Sequence, residues 1–343
     1  MLISKDATYA SPALEAFDRI PKADLVDESG MAYPELRRTL SPRYAIVWRD
    51  ILLGHLVLIA TVYGLVAASG LGVVAQCAAA VAGAAVIGYG VAYLMLFFHE
   101  AAHFNIASTR RLNDVLANVL LGSFVGQDIR AYRPIHFDHH RYLGTTADTE
   151  RTYFQPLNAS FIFQALTGIL SLKVLLGREL AAKAMPQASG KRGMLNRQLA
   201  FGLLLNATIV GAAVFSGKWA LAAGWVAGIG IAFPFFAAVR QSLEHRDFNA
   251  RPDINYREVA QGASARVFGD GLIASTLGGA GFNRHLLHHW DPQVPYTRLA
   301  QVEAFLRRSQ ARDAYAGLET TYLQAFGRLF ASDSRKHRDV SRA

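Results

Sequence analysis

Apolar positions in this chain gather into long unbroken runs instead of alternating with polar ones. The first run is Ile51–Ser69, and after the connector Gly70-Leu71-Gly72 a second covers Val73–Phe98. Two more, Leu199–Ser216 and Trp219–Val239, turn about Gly217-Lys218. Each is close to the roughly 20 residues that cross a bilayer as a helix, so the pattern predicts two transmembrane hairpins. Leu112–Gly126 is short and carries Asn113, Asp114 and Asn118, which places it in the membrane interface. Leu157–Gly177 is long enough to span but carries Asn158, Gln164 and Lys173. A crossing there would put His140 and His245 on opposite sides, so it too is assigned to the interface.

The expected fold is an all-α integral membrane protein with four transmembrane helices, interfacial helices and a cytosolic helical cap. Residues 1–44 read as a cytosolic arm with a short amphipathic helix, 45–305 as the membrane domain, and 306–343 as a basic helical tail. Composition agrees, since 52% of the 343 residues are hydrophobic and 18% are charged, against about 25% charged in soluble domains. Arg178, Lys183, Lys191, Arg192 and Arg197 lie on one side of the hairpins, and the two opposite turns carry only Lys218. That bias orients both ends toward the cytosol. The net charge of +9 fits anionic headgroups, because no basic face interleaved with aromatics points to nucleic acid. The N-terminus has no apolar h-region, so no cleaved signal peptide is expected. The single cysteine, Cys77, excludes an internal disulfide and a thiolate iron–sulfur centre. Electrons for any redox chemistry therefore have to come from another protein.

Eight of the eleven histidines fall in three clusters: His99-Glu-Ala-Ala-His103, His136-Phe-Asp-His139-His140 and His285-Leu-Leu-His288-His289. Residues three and four apart share a helix face, so each cluster can aim its rings at one centre. Eight imidazoles exceed what one metal uses, and the reading is a two-metal site at the cytosolic edge of the membrane, with iron favoured. His245 follows the returning helix of the second hairpin and is a ninth candidate ligand. Gln241, one turn earlier, is a candidate to bind directly or through water. Asp128, Asp138, Asp148, Glu150, Glu244 and Asp291, all near a histidine in sequence, are candidates to orient the rings. His55 and His337 are read as uninvolved.

His99-Glu100-Ala-Ala-His103 also matches the H-E-x-x-H pattern of zinc proteases, in which Glu100 would activate water. A zinc intramembrane protease explains only two histidines, however, and leaves the other clusters without a role. A non-catalytic metal-binding membrane protein, such as a transporter, would want polar residues in mid-membrane, and these runs offer few.

Taken together, HEAAH, HFDHH and HLLHH resemble the three histidine boxes of the membrane fatty acid desaturase and hydroxylase superfamily. Tyr132-Arg133, HHRYLGTTADTE, Gly281-Phe282-Asn283 and Val294-Pro295-Tyr296 are similar to bacterial acyl-lipid desaturases. His245 and Gln241 occupy the places of an additional histidine and a preceding amide in relatives. The resemblance covers roughly residues 45–305. It implies a non-haem di-iron centre using O2 and two external electrons to desaturate a fatty acyl lipid presented by a narrow apolar tunnel. Hydroxylation or ketolation of a lipid, carotenoid or other hydrophobic metabolite is the alternative on the same site. It further implies a bacterial inner-membrane location and a separate ferredoxin or cytochrome with its reductase. Trp290-Asp291-Pro292 departs from the family pattern on a strip expected near the reacting carbon.

Overall fold

A computed structural model describes residues 12–170, 172–173, 189–262 and 264–340. Arg178, Lys183 and the end of the Leu157–Gly177 run lie outside these residues, as do the side chains of Lys191, Arg192 and His337. The described residues form helices, with isolated β-bridges and no strand. In chain order the elements used below are α1 (Pro12–Asp18), α2 (Tyr33–Thr39), α3 (Tyr44–Ala67), α4 (Val73–Ala102), α5 (Arg110–Leu116), α6 (Ile129–Tyr142) and α7 (Ala159–Leu166). They continue with α8 (Ser189–Phe215), α9 (Trp219–His245), α10 (Leu272–Thr276), α11 (His285–Trp290), α12 (Leu299–Leu306), α13 (Arg312–Ala316) and α14 (Tyr322–Val340). The chain divides into two compact units, one of residues 44–135 and 159–239, the other of 1–43, 136–158 and 240–343.

The first unit holds the apolar runs. Among the described residues four helices are long and apolar enough to cross a membrane: Tyr44–Gly70, Val73–Ala102, Arg197–Phe215 and Trp219–His245. All four predicted spans are therefore present, and the chain is a multi-pass membrane protein. Each helix outruns its apolar run at one end, because propagating a formed helix is favourable even through polar residues. The α4 helix is the hub, with 61% of its most apolar stretch buried against 28%, 11% and 28% for the others. Its Gly88 permits close approach to α9: a Cβ there would lie 2.4 Å from that of Ala232 and 2.5 Å from the Phe233 nitrogen. Leu52, Leu56, Tyr63, Val74, Leu203 and Leu204 are exposed, as lipid-facing residues should be. Asn206 and Trp225, polar groups within the spans, are satisfied by each other and by nearby carbonyls. Asn206 Nδ2 donates to Phe124 O (3.1 Å) and Gly202 O (2.8 Å), and Trp225 Nε1 donates to Asn206 Oδ1 (2.8 Å). The α7 helix is short and is followed by Gly168 at φ +77°. It does not reach the length of a span among the described residues.

The second unit packs α1, α2 and α11–α13 around Phe17, Leu25, Tyr33, Leu287, Phe305 and Tyr315. The C-terminal residues are part of this body, with Tyr322, Ala325 and Leu329 buried. On α14, Asp333 accepts a two-pronged ion pair from Arg246 Nε (2.8 Å) and Nη2 (2.9 Å) and also the Leu157 N–H (2.7 Å).

Candidate metal centre

Ligand geometry begins with the helix ends. In the membrane unit, His99 lies on the last turns of α4 and His103 caps it, with ring centroids 5.3 Å apart. A helix C-terminus leaves carbonyls without partners. Here Arg133 Nε takes Ala102 O (2.9 Å), Arg133 Nη2 takes Ala101 O (3.2 Å), and Asn113 Nδ2 takes Ala101 O (2.9 Å). Asp114 holds Arg133 at 2.5 Å, and the guanidinium covers the Phe104 ring at 3.9 Å. Phe104, at φ +62°, turns the chain sharply after His103.

The other seven candidate histidines belong to the second unit, and their Nε2 atoms converge in two groups. In one, His136 and His288 stand 2.9 and 3.0 Å from His140. In the other, His139 and His285 stand 3.2 and 2.9 Å from His245, and His289 stands 3.2 Å from His285. An ion bound at about 2.1 Å places neighbouring donors about 3 Å apart at right angles, so these separations fit coordination.

For three of these rings, orientation follows from the Nδ1 partner. A carbonyl or carboxylate can only accept, so each such contact fixes Nδ1 as the protonated nitrogen and leaves the Nε2 lone pair for a metal. His245 Nδ1 donates to Ser264 O (3.1 Å), and His139 Nδ1 donates to Asp148 Oδ1 (2.9 Å). His136 Nδ1 lies 3.4 Å from Glu150 Oε1. Asp148 is itself held by the Tyr153 hydroxyl, which accepts from the Gly144 N–H at 2.8 Å. Burial lowers the pKa of His136, and it holds His285 and His289 well below the imidazole range with help from neighbouring positive groups. The downward shift favours the neutral imidazole, the form that binds metal. His139 shifts upward because Glu150 and Asp148 outweigh its burial. Burial would raise Glu150, but His139 and His136 hold its carboxyl well below the usual range.

The remaining candidates divide. Gln241 Nε2 donates to Glu150 Oε2 (2.8 Å), so this amide sits one contact from His136. Glu244 Oε2 lies 4.0 Å from His285 Nε2. Asp128 caps α6, accepting from the Arg130 N–H (2.8 Å) and Asn118 Nδ2 (2.9 Å). Asp138 is a surface residue 3.8 Å from Arg141. Asp291 is held by the Tyr33 hydroxyl (2.8 Å) and Arg37 Nε (3.0 Å), and Trp290 packs on Phe17 and Tyr33. The Trp290-Asp291 strip is thus engaged by the N-terminal segment. His55 lies outside both groups, its ring nitrogens 2.9 and 3.1 Å from Ile51 O and Leu120 O. Glu100 accepts from Asn105 Nδ2 (3.0 Å). Tyr153 and Tyr322, whose hydroxyl donates to Glu244 Oε1 at 3.2 Å, carry no sequence signal, as they stand in no histidine motif.

None of the curated proteins compared with the chain matches it. The family model described as fatty acid desaturase matches residues 75–322, from the second span through all three histidine boxes. With over half of its length matched and histidines gathered in groups able to hold metal, this chain belongs to the fatty acid desaturase family, whose members are oxidoreductases of the desaturase and hydroxylase type.

Proposed function

We propose that the protein is an O2-dependent, non-haem di-iron membrane oxidoreductase that introduces a double bond into a fatty acyl chain. The carrying observation is the convergence of the seven ring nitrogens in two groups, within a chain of this family. Nine histidines, His99, His103, His136, His139, His140, His245, His285, His288 and His289, are the ligand set assigned to two irons. When bound, the irons supply O2 activation and removal of hydrogen from an unactivated carbon.

The protein's own contribution is orientation and exclusion of water. Asp148 and Ser264 O fix the Nδ1 protons of His139 and His245, so both rings present a lone pair without rearranging. Glu150 bridges His136 and Gln241 and brings negative charge to a cationic centre. His99, His136, His139, His245, His285 and His288 are all buried, which keeps water from competing for a reactive centre. The two electrons are assigned to a separate ferredoxin or cytochrome with its reductase. The metal site and both termini are assigned to the cytosolic side of a bacterial inner membrane.

Mass spectrometry of total lipids from cells expressing the protein tests the reading, with H139A as control. Acyl chains two hydrogens lighter, formed only with the intact protein, are the expected result. Products heavier by one oxygen would assign hydroxylation instead.

A further inference from the structure

We propose that Glu244 is a direct carboxylate ligand of one of the two metal ions, so that this ion is held by mixed nitrogen and oxygen donors. The inference rests on the di-metal reading above and adds to it a residue outside the nine histidines.

Glu244, His245 and His285 are 1%, 2% and 2% exposed, and each offers a donor atom within 4.8 Å of the other two. His285 Nε2 lies 2.9 Å from His245 Nε2 and 4.0 Å from Glu244 Oε2. Bonds of about 2.1 Å put donors about 3 Å apart at right angles and about 4.2 Å apart across the ion, and both distances fall in that span. The two carboxylate oxygens have different surroundings. Oε1 accepts the Tyr322 hydroxyl at 3.2 Å and has Arg240 Nε at 3.8 Å, while Oε2 faces the imidazole nitrogen. Tyr322 and Arg240 thus hold the group from one side and leave the other oxygen toward the rings.

Charge argues the same way. A buried carboxylate is costly unless a nearby cation compensates it. Arg240 stands beyond hydrogen-bonding distance of Glu244 and lies over the Phe282 ring at 4.5 Å, so its compensation is partial. A divalent ion between Glu244, His245 and His285 would supply the rest. An anionic oxygen donor also moves the site's preference away from copper and toward iron or manganese.

The test is cobalt(II) titration of the full-length protein, stripped by chelator in detergent, following stoichiometry by metal analysis and ligand field by visible absorption. Wild type is expected to bind two ions. Glu244→Gln is expected to hold one ion as wild type does and the other at least tenfold more weakly, with altered absorption. The unperturbed ion reports that the fold is intact, and Glu244→Asp, which keeps the carboxylate, is expected to recover part of the affinity. Equal binding and superimposable spectra for wild type and Glu244→Gln would overturn the proposal, as would equal weakening of both ions. A wild-type protein that binds no cobalt would overturn the di-metal reading, and this inference with it. Metal-induced infrared difference spectra of the wild type keep the test independent of how Glu244→Gln folds. A shifted carboxylate stretch is expected, and an unshifted one counts against ligation.

Discussion

On the proposed di-metal reading, one phenol oxygen, that of Tyr153, is expected to govern how firmly His139 holds a metal. It donates to Asp148, which accepts from His139 Nδ1, and all three groups are buried. Tyr153→Phe removes the hydrogen bond and keeps the ring packed on Phe154. Groups that orient a ligand histidine are worth about 10–100-fold in metal affinity. Tyr153→Phe is therefore expected to lower affinity about tenfold in chelator competition, with unchanged helix content. The histidines were legible in the sequence because their spacing is a helical one, and Asp148 and Glu150 because they sit near a box. Asp128, Asp138 and Asp291 look equivalent by nearness, yet they serve a helix cap, the surface and the N-terminal segment. Proximity along the chain does not say which way a carboxylate points. Ser264, which acts through a backbone carbonyl, could not have been found at all, since every residue has one.

Among the elements, α14 is tied to the rest of its unit by a buried ion pair. Its Asp333 pairs with Arg246, the residue after His245, and Arg246 Nη1 also donates to Phe154 O at 3.1 Å. Both side chains of the pair are 1% exposed or less. Removing one partner of such a buried pair costs about 3–5 kcal/mol, because the other charge is left uncompensated. Asp333→Ala is expected to lower the thermal midpoint strongly, measured in detergent with the protein metal-free. Asp333→Ala combined with Arg246→Met is expected to recover part of the loss. The four spans were legible because length and hydropathy alone decide them. The ends of α4 and α9 were not, since polar residues such as His99 and Glu244 continue a helix once it is formed. Whether the apolar face of a terminal amphipathic helix meets protein or lipid is equally absent from its periodicity. The aromatic and aliphatic residues of α14 settle that only through partners far away in sequence.

For the whole molecule, orientation in the membrane is the first expectation. With Cys77 replaced by serine, a cysteine at Lys218 is expected to react with an impermeant maleimide added to intact cells, and one at Glu28 only after lysis. The opposite pattern would reverse the assigned sidedness. The clasp between Tyr33 and Asp291 has a further bearing, on the order of events during synthesis. These partners are 258 residues apart, so at about 5–20 residues per second the ribosome needs roughly 13–50 s to make the second after the first. Throughout that interval Phe17, Leu25 and Tyr33 wait without the α11 and α12 surfaces that bury them. His136, His139 and His140 emerge in the same interval, before His285, His288 and His289 exist. A nascent chain therefore carries these imidazoles long before the ones they converge with, and on the proposed di-metal reading metal acquisition waits until the third histidine box has been made.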